Sequence, residues 1–165
     1  MSYRVIFIVG YWKSGTTLLQ HLLAKDENIQ NPFIFDGTEF WNKYFPPASR
    51  TSDVIPREMY EDKLDVIRGD IESLYDGKSL FMLFKRPQFV LNIDLIKELF
   101  DDVSIIGIRR ELIPNIYSML RMRAENNYPH DVYIGLYPPG WKKFESKPII
   151  EQLVWQYHYA NNLSL

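Results

Sequence analysis

The chain has 165 residues, enough for one domain with a sizeable core, and its 46% hydrophobic and 24% charged content is that of an ordinary globular protein. A net charge of −2 argues against a nucleic-acid partner held by bulk charge, and the lack of cysteine excludes disulfides and thiolate metal sites. The histidines His21, His130 and His158 are widely separated and form no metal-ligand spacing, and no apolar run is long enough to span a membrane. The N-terminus leads almost directly into the first strand and leaves no room for a cleaved signal peptide, so a cytoplasmic protein is expected.

The first informative stretch is Val5 to Leu23. Its apolar, β-branched start reads as a strand buried on both faces. It then turns through Gly10 and Gly15 and continues with Leu18, Leu19, Leu22 and Leu23 at helical spacing. Strand, glycine loop and helix together point backbone N–H groups and a helix N-terminus at an anion.

Farther on, Phe33-Ile34-Phe35 reads as a short second strand, and Asp36-Gly37 as a turn leading into Thr38-Glu39-Phe40-Trp41. Residues 45–56 read as loop. A helix is expected from about Arg57 to Tyr75, with Met59, Leu64, Ile67, Ile71 and Leu74 on one stripe. Ser79 to Phe84 reads as a fully apolar third strand, and Asn92 as the N-cap of the next helix. Val103 to Ile108 is the fourth strand, and helix resumes near Leu112 with Pro114 in its first turn. Residues 128–148, rich in Tyr, Pro and Gly, read as an ordered surface loop before a last amphipathic helix. Strands alternating with helices imply a P-loop-type three-layer α/β/α fold with a central parallel sheet, residues 1–165 forming a single domain.

In such sheets ligands sit beyond the C-terminal strand ends. Those ends carry Lys13, Lys85-Arg86 and Arg109-Arg110, with Arg121 and Arg123 further along the following helix, so an acidic protein has gathered cations at one edge. No strand ends in the aspartate that a Walker B site uses for Mg²⁺. Several cations without a metal carboxylate suit a polyanionic ligand bound without a metal. The loop itself departs from Walker A, because Thr16 stands where the lysine belongs and a lysine appears at position 13 instead. Ordinary ATP chemistry is disfavoured by that change.

Lys13-Ser-Gly-Thr-Thr17 after a buried strand resembles the 5′-phosphosulfate loop of sulfotransferases, which use 3′-phosphoadenosine 5′-phosphosulfate (PAPS) as sulfuryl donor. The stretch Ile105 to Ser118 is similar to the second signature of that family, the 3′-phosphate site, in which a strand-end arginine is followed eight residues later by a helical serine. Arg110 to Ser118 has that spacing, and Arg109 is one residue too far. Lys85-Arg86-Pro87 resembles a strand-end lysine followed by an acidic or small residue and proline, found in the tyrosyl-protein and bacterial branches; Arg86 replaces the commoner middle residue. Pro138-Pro-Gly-Trp141 and Trp155-Gln-Tyr-His-Tyr159 also look like bacterial members.

The resemblance implies sulfuryl transfer from PAPS to a hydroxyl or amine of a small-molecule, carbohydrate or lipid acceptor. Lys13, Ser14, Gly15, Thr16 and Thr17 would hold the 5′-phosphosulfate, and Arg110 with Ser118 the 3′-phosphate. Lys13 and Lys85 would stabilise developing charge. Glu39, placed where carbohydrate and tyrosyl-protein sulfotransferases carry a glutamate before an aromatic residue, would be the general base, with Asp36 as local competitor and His130 ranked below it. Family members usually continue with a further strand and a loop over the adenosine, so the resemblance is to a short member or a fragment lacking the C-terminal part. A degenerate P-loop kinase and a non-catalytic nucleotide-binding module remain as alternatives.

Overall fold

The structure is a computed structural model that describes residues 3–45, 54–129 and 133–163. Its chain order is β1 (Arg4–Gly10), α1 (Thr16–Leu23), β2 (Ile29–Gln30), α2 (Thr38–Tyr44), α3 (Leu64–Glu72), β3 (Phe81–Lys85), α4 (Ile93–Leu99), β4 (Val103–Ile108), α5 (Leu112–Glu125) and α6 (Ile149–Asn162). Short 3₁₀ turns lie at Arg57–Met59, Glu61–Lys63, Pro87–Leu91 and Trp141–Lys143. The four strands are parallel and ordered β2-β3-β1-β4, so the expected P-loop-type α/β/α arrangement with a central parallel sheet is present.

β1, like β3, is an interior strand with a partner on each side. Val5, Phe7, Ile8 and Val9 are all at most 1% exposed, which places apolar side chains on both of its faces. The Phe7 ring stacks on Phe89 at 5.7 Å between centroids and lies 6.0 Å from both Phe84 and Trp41. Trp41 in turn meets Phe89 edge-on at 4.9 Å, so α2 is fixed to the sheet through one aromatic cluster. β4 matches its expected bounds, yet Val103, Ile105, Ile106 and Ile108 are only half-buried because β4 is the edge strand.

Four local expectations change. Phe33-Ile34-Phe35 is not a strand: β2 is the two-residue Ile29–Gln30. The Phe33 and Phe35 carbonyls instead accept from the buried Gln20 amide at 3.0 and 3.4 Å, which takes them out of any ladder, while Ile34 and Phe35 face solvent. The helix from Arg57 to Tyr75 is broken into two 3₁₀ turns and α3, with the break at Tyr60. Tyr60 leaves helical geometry (φ −132°) to bury its ring, with its hydroxyl on Glu98. Asn92 precedes α4 but makes no cap, because its Oδ1 accepts the Ile55 N–H from a distant segment at 2.6 Å. Residues 38–44, given no element of their own beyond the turn that leads into Thr38, form α2, whose buried Trp41 and Tyr44 share one side three residues apart.

Removing the ring at the centre of this core gives a direct test. Phe7→Ala should cost about 3–5 kcal/mol. That loss appears as a lower urea midpoint at unchanged slope, and a loss below about 1 kcal/mol would mean that the aromatic cluster is not the centre of the core.

Candidate active site

The parallel register brings the strand ends together: Ile8 lies beside Lys85, and Gly10 beside Ile108. The loop leaving β1 bends sharply at its two ends. A Cβ on Gly10 would lie 2.6 Å from the Ile108 carbonyl oxygen, so only glycine lets β1 and the loop pass β4 this closely. Lys13 adopts the left-handed conformation (φ 61°), as does Gly15 (φ 107°) immediately before α1. A non-glycine residue held there is strained backbone of the kind found at ligand clamps.

The loop is braced from α5. Asn115, fully buried, donates its amide to the Trp12 carbonyl at 3.0 Å. Arg110 donates to the Lys13 carbonyl at 3.2 Å. Asn115 was not singled out by sequence, since an asparagine in the first turn of a helix ordinarily reads as exposed. Within the loop, Ser14 is 8% exposed and its Oγ is a buried hydroxyl with no hydrogen-bond partner among the described residues. A buried unpartnered hydroxyl in a loop facing an uncapped helix N-terminus is a vacant donor suited to an anion. Thr16 is buried at the start of α1, and Thr17 follows it.

Arg110 and Ser118 are brought together across the first turns of α5. Arg110 Nη1 donates to Ser118 Oγ at 3.0 Å, and the serine hydroxyl donates back to the Pro114 carbonyl at 2.9 Å. Tyr157 of α6 fixes the arginine backbone by donating to the Arg110 carbonyl at 2.6 Å. Arg109 faces elsewhere, into a cavity of about 170 Å³ lined also by Gly10, Tyr11, Val90 and Ala160. Arg110 therefore stands against Ser118, and Arg109 does not.

The third cationic strand end is buried. Lys85, 4% exposed, donates to Thr17 Oγ1 at 2.9 Å and forms an ion pair with Asp36. Arg86, 1% exposed, donates to Thr38 Oγ1 at 2.8 Å. Burial pushes the Arg86 guanidinium down to about 10, with the Asp36 charge opposing, so it stays charged at neutral pH. Asp36 and Thr38 thus face the cationic edge, although they lie almost fifty residues away in sequence. Glu39 is exposed on the first turn of α2, next to Thr38.

Other candidates are placed away from this cluster. Arg121 pairs with Glu125 at 2.6 Å on the exposed side of α5, and Arg123 is buried with its guanidinium on the Pro129 carbonyl at 2.7 Å. These two cations hold the far end of α5 and drop out of the group gathered at the sheet edge. His21 and His158 are exposed on α1 and α6, and His130 lies outside the described residues. Trp141 packs with Tyr133 and Tyr137, and Trp155 stacks on Phe144 at 4.3 Å. Beside Tyr137 and Trp141 an open cavity of about 400 Å³ also touches Lys142 and Lys143. Among the described residues no helix is long and apolar enough to cross a membrane, and no group of three or more His, Asp or Glu side chains could hold a metal ion.

A glycine-bounded loop before a helix N-terminus, a strand-end arginine on a helical serine and a buried strand-end lysine thus share one edge of a parallel sheet. Curated proteins give no match to the chain. The family model described as Sulfotransferase family matches residues 5–136, a span that includes the loop, Glu39, Lys85, Arg110 and Ser118. The chain belongs to the sulfotransferase family, whose members are transferases.

Proposed function

We propose that this protein transfers a sulfuryl group from PAPS to a hydroxyl or amine of a small-molecule, carbohydrate or lipid acceptor, in the manner of the tyrosyl-protein and carbohydrate branch of the family. The observation that carries this reading is Arg110, whose guanidinium touches both the Lys13 carbonyl of the loop and the Ser118 hydroxyl. One arginine thereby links the loop after β1 to the helix that carries Ser118.

The residues fit such a ligand. The vacant Ser14 hydroxyl, the N–H groups around Gly15 and the start of α1, with Thr16 and Thr17, supply donors for the 5′-phosphosulfate. Arg110 supplies a fork of donors for the 3′-phosphate, and the Ser118 hydroxyl a further donor when it turns from the Pro114 carbonyl to the phosphate. When bound, PAPS supplies an activated sulfuryl group on a phosphosulfate anhydride. Lys13 of the loop, and Lys85 held on Thr17, provide positive charge for the negative charge that grows as the S–O bond lengthens. Glu39 takes the acceptor proton. Asp36 supports a second assignment of the base, because its carboxylate is the one paired with Lys85. His130, ranked below Glu39, lies outside the described residues and stays a third candidate.

Donor choice is the first test. Adenosine 3′,5′-bisphosphate should bind far more tightly than ADP or ATP in calorimetry with EDTA present. Equal affinity for all three, or a strict Mg²⁺ requirement, would favour the degenerate kinase instead.

The two phosphate sites separate by kinetics. Arg110→Ala should weaken bisphosphate binding by about 1.5–3 kcal/mol, the range for a charge-assisted hydrogen bond. Lys13→Ala should mainly lower kcat, by roughly 10²–10³-fold, because its contact strengthens in the transition state. Arg109→Ala is the control, and a binding defect there instead would move the 3′-phosphate to the other arginine.

The base is tested by bisphosphate release from PAPS. Glu39→Gln should slow release by roughly 10²–10⁴-fold at unchanged bisphosphate affinity. Near-normal turnover in Glu39→Gln together with that loss in Asp36→Asn would give the role to Asp36.

A further inference from the structure

Lys85 and Arg86 are adjacent buried cations, yet they serve different segments. Lys85 reaches the donor loop through Thr17, whereas Arg86 turns to the segment that enters α2. There it donates to Thr38 Oγ1 at 2.8 Å and approaches the Asp36 carbonyl at 3.5 Å, with its guanidinium carbon 6.0 Å from the Phe89 ring centroid. That segment lacks the usual restraint on a helix entry. The N-cap of α2 is Gly37, which has no side chain to hold the first turn and makes no side-chain cap bond. Gly37 is itself left-handed (φ 62°) and pressed against Phe33, where a Cβ would lie 2.6 Å from the ring. Thr38 is the first helical residue and Glu39 the second, so the grip on Thr38 fixes where Glu39 starts.

We propose that Arg86 is a positioning residue for the acceptor side of the site: by donating to Thr38 it anchors the first turn of α2, which has no side-chain cap, and holds Glu39 in place relative to Lys85. This assignment rests on the sulfotransferase reading and adds to it a role for a residue that does not touch the donor loop. The same strand end thus performs two tasks in consecutive residues, charge stabilisation by Lys85 and placement of the base by Arg86. A planar guanidinium suits the second task, because its donors can meet a hydroxyl and a nearby carbonyl from one rigid fork, which an ammonium on a flexible stem cannot do as well.

Thr38→Val tests the link while leaving Arg86 and the core in place, with Arg86→Gln and Arg86→Lys alongside it. The measurements are amide hydrogen exchange at Trp41 and Asn42, bisphosphate affinity by calorimetry, and bisphosphate release from PAPS with 2-naphthol or water as acceptor. The Trp41 amide reports the first α2 hydrogen bond, to the Gly37 carbonyl at 3.0 Å. Thr38→Val should speed exchange there by roughly 3–10-fold, as expected for one lost hydrogen bond. It should lower kcat by roughly 10–10²-fold through misplacement of the base, with bisphosphate affinity and the KM for PAPS unchanged. Arg86→Lys should fall between wild type and Arg86→Gln in both exchange and kcat. Wild-type exchange and kcat in Thr38→Val would overturn the assignment, as would a loss of bisphosphate affinity parallel to the loss of kcat, which would place the contact on the donor side. A wild-type protein that neither binds the bisphosphate nor consumes PAPS would overturn the sulfotransferase reading itself, and that result is visible before any variant is made.

Discussion

Because β1 pairs in parallel with β3 on one side and β4 on the other, three strands end at one edge, with Ile8 beside Lys85 and Gly10 beside Ile108. The Arg86 N–H still bonds to the Ile8 carbonyl at 3.1 Å, so the ladder reaches past Lys85 and fixes both cations relative to the loop. A one-residue slip of β3 would turn Lys85 to the opposite face of the sheet and send it away from Thr17. The ladder is anchored by the rings around Phe7, which are Trp41 on α2, Phe84 on β3, Phe89 on the 3₁₀ turn and Phe100 just past α4, and this is how core packing sets distances at that edge.

Placing two cations side by side at the end of a buried strand is unfavourable unless each has partners. Asp36 is the carboxylate that faces them: it pairs with Lys85 and its charge opposes the downward shift of Arg86. Thr17 and Thr38 supply neutral oxygens on either side. The cluster as a whole carries more positive than negative charge, with Lys85 and Arg86 themselves buried and Asp36 partly exposed. On the proposed function, an anion at the loop would offset this excess of positive charge. The attraction is local, which reconciles it with a net charge of −2 for the whole chain.

How far the sequence revealed this depended on how local each signal is. β1, β4 and α5 are legible because a buried strand and an amphipathic helix impose their own periods, and Arg110 to Ser118 is legible because both lie within one strand-to-helix unit. Phe33 to Phe35 looks like a strand by composition, but Gln20, on another element, captures its carbonyls. Asn92 looks like a cap by position, but Ile55 takes its oxygen. The contacts of Arg86 and Lys85 with Thr38 and Asp36 span almost fifty residues, and no local period encodes a pairing of that kind. The arginines of α5 show the reverse case: Arg121 and Arg123 look like part of the cationic edge until Glu125 and the Pro129 carbonyl are seen to hold them.

The residues least visible in sequence share one physical role. Irregular backbone near a ligand site cannot satisfy its own N–H and C=O groups in a ladder, and burying them unpaired would be costly. Here buried side-chain amides satisfy them. Gln20 takes the carbonyls of Phe33 and Phe35, Asn115 that of Trp12, and Gln152 those of Glu145 and Lys147. Gln156 accepts from the Leu136 N–H at 2.9 Å, donates to the Ile134 carbonyl at 3.2 Å, and receives the Tyr11 hydroxyl at 3.4 Å. It thereby ties the aromatic loop to the segment that begins the anion loop. Gly135 between those two loop residues is left-handed (φ 125°), and a Cβ there would fall 1.9 Å from Gln156 Oε1, so any other residue would expel the amide. A glutamine on an amphipathic helix reads as surface, and a glycine in a Tyr- and Pro-rich loop reads as a turn. Only their joint placement shows that they tie the segment 133–137 to Tyr11 just past the end of β1, and a loop held by amides in this way can present aromatic side chains without belonging to the sheet.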